Sequence, residues 1–451
     1  MFNINSSDQN IKRTNVDYIF VGAVFLLVFI GTVMVMSAVA GTGLSAQITR
    51  THIIAVPVAF AAFFFGWFFN YQVYQEQWKW LYGLVIVMLI LVLIPGIGSY
   101  QRGSRSWIML PFFSIQPSEP SRVAMILIAS AYLAFNIKKV KDVLTFVAVF
   151  ALILPIFALI MKQPDFSSIV ISLPALLALL YCAGVNIFYL VLIFLLGFFA
   201  VVFPLAWTYI YLHPELAGQS IIIKIFYGLS SNPWYISVFC LAAGLLTFLT
   251  GLALRQFRIF IPAVILVLVA GVVISGFFGG VFINNRMKDY QRKRVEVFLA
   301  PSSDPKGAGY NVLQAQIAMG AGGVLGRGVF SGTQSRLGFV PEKHTDFILA
   351  VVGEELGLWG TLTVLALYFI ILWRIFLIAY NSSDVYGYLV CSGIFSMFFV
   401  YACVNFGMLI GLAPVAGIPL PLISYGGSNL AASMWALGIV QSVYSRRITF
   451  R

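Results

Sequence analysis

The chain has 451 residues, of which 61% are hydrophobic and only 9% are charged, and its formal net charge is +12. So few charged residues could not cover the surface of a soluble domain, so the composition excludes that class and predicts a polytopic membrane protein. In such a protein a positive charge more often reflects basic loops, or contacts with anionic lipid headgroups, than nucleic-acid binding. We therefore expect membrane lipids, and no nucleic acid, as partners.

About 20 apolar residues cross a bilayer as a helix. The sequence predicts an all-α membrane protein with about twelve such transmembrane helices, at 17–39, 51–70, 79–98, 119–136, 143–162, 165–184, 186–209, 236–254, 258–284, 346–374, 385–412 and 421–443. No cleavage site follows the first run, which favours a signal anchor. Residues 210–235 fit no span, and 221–227 form an amphipathic stretch typical of a helix on the membrane surface.

The distribution of Lys and Arg predicts the orientation, because cytoplasmic loops are enriched in both. With the N-terminus inside, twelve basic residues fall on cytoplasmic segments: Lys12, Arg13, Lys79, Lys138, Lys139, Lys141, Arg255, Arg258, Arg374, Arg446, Arg447 and Arg451. Six fall on the short outer loops and helix ends: Arg50, Arg102, Arg105, Arg122, Lys162 and Lys224. We expect both termini in the cytoplasm, which places the large loop 285–345 outside.

Most of the acidic residues then map to the outer side. They are Glu119, Asp165, Glu215, Asp289, Glu296, Asp304, Glu342, Asp346, Glu354 and Glu355. A carboxylate within a spanning helix costs about 2.5–3.5 kcal/mol on insertion scales, so it is seldom found there without a partner or a role. If the protein has a site, this pattern predicts that the site opens outward.

The first two outer segments contain several candidates. Arg105 and Trp107 either anchor the chain at headgroup depth or contact a ligand. Glu119, at a predicted helix start, either stabilises the positive helix end or meets a cation. Lys162 and Asp165 lie in Lys-Gln-Pro-Asp between two spans, where Asp165 would cap the following helix.

The large loop opens with the basic run Arg292-Lys293-Arg294, which is either a solvated helix end or a clamp for phosphate. Asp304 follows in Ser-Ser-Asp-Pro, a sequence that commonly starts a turn. A carboxylate in a polar loop between so many apolar runs is also a functional candidate. The glycine-rich run 320–328 lacks the Lys-Ser/Thr of a nucleotide-binding loop, and no strand precedes it, so we exclude that function.

The loop closes with Lys343, His344 and Asp346, and we expect Asp346 to share one helix with Glu354 and Glu355. Three histidines in the whole chain exclude a histidine-rich metal site, whereas a carboxylate-held Mg²⁺ or Mn²⁺ stays open. No organic cofactor is expected.

Two remaining features lie within apolar sequence. Residues 417–428 carry prolines and glycines around Ser424, and such a break at membrane depth is tolerated only against protein or water, which predicts a cavity lining. The four cysteines show neither a paired pattern nor metal-ligand spacing, and we expect them to be small core residues: Cys182, Cys240, Cys391 and Cys403.

Four stretches together resemble the SEDS family, the shape, elongation, division and sporulation proteins. They are GSRSWIMLPFFSIQPSE, KQPD, the long run from YQRKRVEVFLAPSSDPKGAGYNV to HTDFILAVVGEELG, and APVAGIPLPLISYGGS. The resemblance covers almost the whole chain, and the wording GTQSRLGFVPEKHTDF is more similar to the elongation branch than to the division branch. It implies a single membrane domain over 1–451 with a core of ten spans, an inserted helical pair near 210–257 and a catalytic loop at 285–345.

The resemblance also implies an activity. Family members are peptidoglycan glycosyltransferases that polymerise lipid II outside the cytoplasmic membrane during cell elongation and shape maintenance, with a class B penicillin-binding protein as the transpeptidase partner. The family's loop aspartate falls on Asp304, expected as the catalytic base. The side chains expected to bind substrate are Arg105, Trp107, Glu119, Lys162, Asp165, Arg292, Arg294, Lys343, His344, Asp346, Glu354 and Ser424. This chain departs from the family pattern at Pro120-Ser121-Arg122 and at Ser428-Asn429.

The chemistry agrees with one strongly indicated acid. A sugar hydroxyl that displaces a polyprenyl pyrophosphate needs a base and nearby positive charge, and a single displacement needs no second carboxylate. The alternatives are a lipid II flippase, a division-type glycosyltransferase, or a scaffold that recruits a synthase. Functional acids on one face suit an enzyme at an interface better than a transporter, in which they would step across the membrane.

Overall fold

The computed structural model describes residues 16–40, 45–101, 104–109, 114–213, 215, 221–229, 233–256, 263–287, 289–300, 307–336, 342–415 and 417–447. Contacts divide the chain into two compact units. The first contains Met1–Ala183, Ala318–Phe406 and Gly417–Arg451, and the second contains Gly184–Ile317 and Gly407–Ala416. Asp304 lies outside the described residues.

The described part of the chain is almost entirely helical. Its helices are α1 Tyr18–Val39, α2 Ser45–Phe68, α3 Tyr71–Glu76, α4 Trp78–Leu91, α5 Ser118–Phe135, α6 Val143–Lys162, α7 Phe166–Cys182, α8 Ile187–Leu212, α9 Ile221–Gly228, α10 Pro233–Gln256, α11 Ala263–Arg286, α12 Asp289–Leu299, α13 Ala308–Ala321, α14 Thr333–Arg336, α15 Ile348–Tyr380, α16 Val385–Leu409 and α17 Gly427–Arg446. Three short strands complete it: β1 Gly98–Gln101, β2 Ser104–Met109 and β3 Ser114–Ile115.

Each of the twelve predicted apolar runs overlaps one of these helices. Among the described residues, eight helices are long and apolar enough to cross a membrane, and α4 and α7 contain shorter apolar helices. The fold is therefore that of an all-α, multi-pass membrane protein. Its helices form because long apolar runs leave backbone groups no partner in lipid except each other.

Helices α2 and α17 pack very closely in the first unit, and glycines make this possible. A side chain at Gly66 would meet the backbone of Trp435, and one at Gly438 would meet the backbone of Phe63. Small residues at such contacts let two helix backbones approach, which is the usual source of packing energy between helices in a membrane.

The Pro- and Gly-rich segment 417–426 is a break in the helical structure, as the sequence predicted. Leu422 has a positive φ of 69°, and its neighbour Ile423 is 1% exposed. A side chain at Gly31 of α1 would meet both residues, and the Tyr368 hydroxyl of α15 donates to the carbonyl of Pro421. The segment therefore packs against protein on this side, and the expected cavity lining stays a prediction.

A small antiparallel sheet, in the order β1-β2-β3, precedes α5 and was not predicted. Ser99 pairs with Trp107 and Tyr100 pairs with Arg105, with a register irregularity between Ser99 and Tyr100. Ser106 is therefore an extra residue in β2 between these two pairs, and it interrupts the alternation of side chains between Arg105 and Trp107.

At one end of α1, polar side chains join distant parts of the first unit. Asp17 caps α1 by accepting a hydrogen bond from the Phe20 N atom (3.1 Å), and it accepts another from Arg374 Nε of α15 (2.8 Å). A second contact joins two other segments, because the Tyr71 hydroxyl donates to Asp384 Oδ1 (2.6 Å). All four side chains belong to segments predicted to be cytoplasmic.

The second unit is built on α8 and α11. Gly276 and Gly280 of α11 face Phe199 and Phe203 of α8 closely, and aromatic rings fill the space around them. Within 210–257, α9 is an eight-residue helix and α10 is long enough to span. The amphipathic stretch is thus helical, and the inserted pair stays a prediction.

Two expectations need correction. Asp346 lies in a turn that precedes α15, because the helix begins only at Ile348. The basic run belongs to α12, which is separate from the spanning helix α11. All four cysteines are free, and Cys391 is buried, but Cys182 and Cys240 are half-buried and Cys403 is exposed.

Candidate functional site

Buried charged and polar side chains meet where α5 and α7 begin. We call Gln116, Ser118, Glu119, Arg122 and Asp165 the α5 cluster. Glu119 is 8% exposed, Arg122 4% and Asp165 9%. Arg122 forms an ion pair with Glu119, one turn earlier on α5, and also interacts electrostatically with Asp165. One buried cation thus serves two buried carboxylates.

Hydroxyl and amide donors surround the Asp165 carboxylate. It accepts hydrogen bonds from Ser118 Oγ (2.6 Å), Gln116 Nε2 (2.9 Å), Ser167 Oγ (2.9 Å) and Ser168 Oγ (2.6 Å). The Ser168 N atom also donates to it (3.2 Å), so Asp165 is the predicted N-cap of α7. Hydrogen bonds to an ionised carboxylate favour the charged form, so Asp165 is held as an anion at the helix end.

Two other elements complete the surroundings of the α5 cluster. The Arg122 guanidinium lies 5.3 Å from the centre of the Tyr401 ring on α16. At the start of α17, Ser428 Oγ donates to the Ser114 carbonyl (2.9 Å) and accepts from the Gln116 N atom (3.0 Å). The strand before α5 is therefore fixed to the segment that follows the helix break.

A second group of buried carboxylates lies at the start of α15. We call Ser37, Phe330, Gln334, Glu354 and Glu355 the loop latch. Glu354 is 0% exposed and Glu355 is 1% exposed. Ser37 Oγ of α1 lies 2.6 Å from Glu355 Oε1 and 2.7 Å from Oε2, and the Phe330 N atom donates to Oε2 (3.2 Å). Glu354 Oε1 accepts from the Gln334 N atom (2.7 Å).

The glycine-rich run has a structural role beside this latch. Helix α15 breaks at Gly357, where φ is 67° and ψ is −159°, so its neighbouring backbone groups lose their helical partners. The Arg327 and Gly328 N atoms donate to the carbonyls of Glu354 (3.0 Å) and Glu355 (2.9 Å). Leu358 N donates to the Gly323 carbonyl (3.0 Å). The run thus supplies the hydrogen bonds that the broken helix lacks.

Lys343 is 5% exposed and lies in the turn before α15. Burial lowers the pKa of its ammonium group, and the nearby carboxylates of Glu354 and Glu355 partly oppose this effect. The next residue, His344, accepts a hydrogen bond at its carbonyl from the Tyr425 N atom (2.8 Å). The histidine and tyrosine rings lie 5.4 Å apart, so the turn is attached to the broken segment.

The predicted substrate-binding residues are only partly brought together. Glu119 and Asp165 share the α5 cluster, while Glu354 and Lys343 interact near the loop latch. Arg105 and Trp107 are half-buried on β2, and Lys162 is exposed at the end of α6. His344 and Asp346 are in the 342–347 turn, and Ser424 accepts a hydrogen bond from the Leu420 N atom. Arg292 and Arg294 are on α12 of the second unit.

Several residues of these groups were not among the predicted site residues. Arg122 carried a signal, because it lies three positions after Glu119 and such pairs meet on one helix face. Ser37 and Tyr401 carried none, since a serine or tyrosine within an apolar run looks like any other and its partner is hundreds of residues away. Only the folded chain joins Ser37 to Glu355.

The fold and these two carboxylate groups define a polytopic helical membrane protein with buried acids near its helix ends. The sequence model of the FtsW/RodA/SpoVE family, described as cell cycle protein, matches residues 17–214 and 229–448. The match covers most of the chain. This chain therefore belongs to the FtsW/RodA/SpoVE family, and residues 215–228, which include α9, are the interval between the two matched parts.

Curated relatives support the same assignment. The chain is 33% identical over 377 residues to the peptidoglycan glycosyltransferase MrdB of Escherichia coli (strain K12), covering 83% of this chain and 80% of that protein. It is 31% identical over 389 residues to the peptidoglycan glycosyltransferase RodA of Treponema pallidum (strain Nichols), covering 84% and 86%. It is 30% identical over 443 residues to the stage V sporulation protein E of Bacillus subtilis (strain 168), covering 96% and 99%.

Solved structures share the fold. A chain from a study of polymerization and crosslinking by a peptidoglycan synthase complex has a TM-score of 0.63 at 23% identity, covering 95% of this chain and 97% of that one. The Thermus thermophilus rod shape determining protein RodA has a TM-score of 0.58 at 20% identity, covering 98% and 100%.

Proposed function

We propose that this protein is a peptidoglycan glycosyltransferase that polymerises lipid II at the outer face of the bacterial cytoplasmic membrane during elongation and shape maintenance. The observation that carries the proposal is similarity of at least 31% over more than four fifths of the chain to proteins named peptidoglycan glycosyltransferase. Buried charged groups are costly in a membrane protein, and a reaction with a charged substrate gives the buried polar groups at the helix ends a role.

The reaction is a single displacement at a sugar carbon. The 4-hydroxyl oxygen of the acceptor sugar attacks the anomeric carbon of the donor, and the bond to the polyprenyl pyrophosphate breaks, which inverts the anomeric centre. Asp304 is the proposed base that accepts the hydroxyl proton as the new bond forms. The leaving group departs with the negative charge of its pyrophosphate, which nearby cations would stabilise.

Two arginines in the first unit are suited to a pyrophosphate. Arg105 Nε and Arg122 Nε are buried and have no hydrogen-bond partner within the described residues. A guanidinium group presents several donors in a fixed plane and binds phosphate oxygens in pairs. With Glu119 already paired to Arg122, we assign the α5 cluster to substrate binding, not to proton transfer.

Among the described residues, no three His, Cys, Asp or Glu side chains come together in a group that could hold a metal ion. The involvement of Mg²⁺ or Mn²⁺ stays a prediction, which is checked by comparing polymerisation with either ion and with a chelator.

The proposed orientation, with both termini in the cytoplasm, rests on the distribution of Lys and Arg, and the contacts of α1 and α15 agree with the residues it assigns to a common side. Asp17 meets Arg374 at one end of this helix pair, and Ser37 meets Glu355 at the other. The sequence assigned the first pair to the cytoplasmic side and Glu355 to the outer side. Residues assigned to the same side thus contact each other, as a consistent topology requires.

The structural neighbour from a study of a peptidoglycan synthase complex supports a partner that crosslinks the glycan. We propose a class B penicillin-binding protein as this transpeptidase partner. Polymerisation and crosslinking would then be coordinated at the same membrane face, because crosslinking acts on the strands that polymerisation produces.

The test is polymerisation by the purified full-length protein with its transpeptidase partner. Fluorescent lipid II is added, and the products are separated on a gel. We expect a ladder of glycan strands from the wild type and none from Asp304→Asn. Asp289→Asn is the matched control, because Asp289 is an exposed acid in the same large loop region, and it should give a normal ladder.

Two results would each overturn one part of the proposal. A wild-type protein that moves labelled lipid II across vesicles without making polymer would be a flippase. A normal ladder from Asp304→Asn would remove the catalytic assignment while leaving the glycosyltransferase function in place.

A further inference from the structure

The loop latch contains two buried carboxylates that the proposed chemistry does not use. Glu354 and Glu355 occupy consecutive positions just before the break at Gly357, and both are almost completely buried. Buried carboxylates are expensive unless they are well paired, so their partners indicate their purpose.

Most of these partners are backbone groups of one segment, residues 327–334. The carboxylates accept hydrogen bonds from the N atoms of Phe330 (3.2 Å) and Gln334 (2.7 Å). The main-chain carbonyls of the same two glutamates accept from the N atoms of Arg327 and Gly328. Four backbone amides of one short segment therefore donate hydrogen bonds to two adjacent residues of α15.

The latch also reaches a third element. Ser37 Oγ of α1 contacts both oxygens of Glu355, and it accepts a hydrogen bond from the Phe330 N atom (3.2 Å). Glu355 thus joins α1, α15 and the segment 327–334 at a single point. A carboxylate that accepts several hydrogen bonds at once fixes the positions of all its donors, because each bond is charge-assisted and directional.

The segment that is held belongs to the polar region between two spanning helices that also contains Asp304. In the sequence, this segment lies between Asp304 and α15. A loop that must place a carboxylate against a sugar hydroxyl loses rate steeply when it is misplaced by about 1 Å.

We propose that Glu355, together with Ser37, is a positioning residue for the glycosyl transfer: it holds residues 327–334 of the large loop against α1 and α15. This inference rests on the proposed function. Glu355 does not contact substrate. Its removal would release residues 327–334 and lower the turnover number, while the affinity for lipid II, which depends on the α5 cluster, would stay the same.

The first experiment replaces Glu355 by glutamine in the full-length protein with its transpeptidase partner. Glutamine keeps the size of the side chain but removes the charge and one acceptor oxygen. We expect the maximal polymerisation rate to fall roughly tenfold or more, as for the loss of a charge-assisted hydrogen bond, with an unchanged half-saturating lipid II concentration. Asp142→Asn, an exposed acid without a side-chain cap bond, is the control and should keep the wild-type rate.

The second experiment replaces the latch by a removable covalent bond. In the Glu355→Gln background the four native cysteines are changed to alanine, and Ser37→Cys and Phe330→Cys are added. The Ser37 hydroxyl oxygen and the Phe330 N atom are 3.2 Å apart, so the two residues are neighbours, and disulfide formation is verified by mass spectrometry before the rate is measured. A mild oxidant should form the disulfide and restore most of the rate, and a reductant should abolish the gain.

Restoration by a crosslink separates positioning from chemistry, since a disulfide has neither charge nor proton to offer. The inference is overturned if Glu355→Gln polymerises at the wild-type rate, or if complete crosslinking leaves the rate low. Should Glu355→Gln fail to fold, Ser37→Ala removes only the hydroxyl, and a wild-type rate in that variant would overturn the inference equally. If the wild type makes no polymer, the proposed function itself fails.

Discussion

The α5 cluster and the loop latch both bury two carboxylates in the same unit, but they stabilise them differently. In the α5 cluster, the partners are side chains: an arginine pairs with Glu119, and hydroxyl and amide groups surround Asp165. In the loop latch, the partners are mostly backbone amides of residues 327–334, with hydroxyls from Ser37 of α1 and from Thr333 of the same segment.

The kind of donor determines what each group can do. Side-chain donors can turn toward a ligand and exchange partners, so the α5 cluster is suited to binding an anion. Backbone donors cannot leave without moving the chain, so the loop latch is suited to holding a segment in place.

The largest effect is expected at Arg122. Arg122→Ala leaves Glu119 buried without its cation, which should lower the free energy of unfolding by about 3–5 kcal/mol. Denaturation of the protein in detergent measures this change. Arg122→Lys should retain most of the stability because it keeps a positive charge, and Glu119→Gln in the Arg122→Ala background should recover part of the loss. An unchanged Arg122→Ala protein would show that the α5 cluster is not held by this ion pair.

The next effect concerns Gly357, where the latch depends on a helix break. A side chain there would meet backbone atoms of Val324 and Gly326, and the positive φ is itself unfavourable. Gly357→Ala should cost roughly 1–3 kcal/mol for the conformation alone, with the same measurement as readout. Gly83→Ala in α4 is the control: no heavy atom lies within 4 Å of its added carbon, and stability should not fall. Equal behaviour of the two variants would contradict the role given to the break.

A smaller effect is expected at the opposite end of α1. Asp17→Asn weakens the α1 cap and the ion pair with Arg374, whose side chain is 23% exposed. The loss of stability should be about 1 kcal/mol, because the pair is partly screened. Polymerisation per folded molecule should stay at the wild-type rate. A large loss of rate would mean that positioning is not confined to the latch end.

The smallest effect is a pH dependence from Lys343. Because burial lowers the pKa of Lys343 below its ordinary value of 10.5, the unfolded chain binds more protons than the folded one between the two values. The free energy of unfolding contributed by this residue should therefore rise as the pH rises through that window. The difference in denaturation midpoint between wild type and Lys343→Met, measured from neutral to alkaline pH, should show this rise. A difference that falls or stays flat would contradict the burial of a charged ammonium group.

The sequence predicted the helices well, because apolar runs of spanning length leave little choice of structure in a membrane. It also predicted the break at 417–426 from its prolines and glycines, and the helix cap at Asp165 from its position between two spans. Each of these signals is local, so no knowledge of the folded chain was needed.

The missed features depend on contacts between distant residues. Asp346 was assigned to a helix because apolar residues follow it, yet the helix begins only at Ile348. The small sheet before α5 had no alternating pattern strong enough to predict it. Ser37 carries no sign that its partner is Glu355, and the glycine-rich run showed its purpose only when α15 proved to be broken.

The most direct test is the dependence of polymerisation rate on lipid II concentration for the wild type, Glu119→Gln and Glu355→Gln. The account predicts glycan strands from the wild type, a raised half-saturating concentration for Glu119→Gln, and a lowered maximal rate at unchanged half-saturation for Glu355→Gln. Absence of polymer from the wild type, or both variants altering the same kinetic parameter, would contradict the assignment of one carboxylate group to binding and the other to positioning.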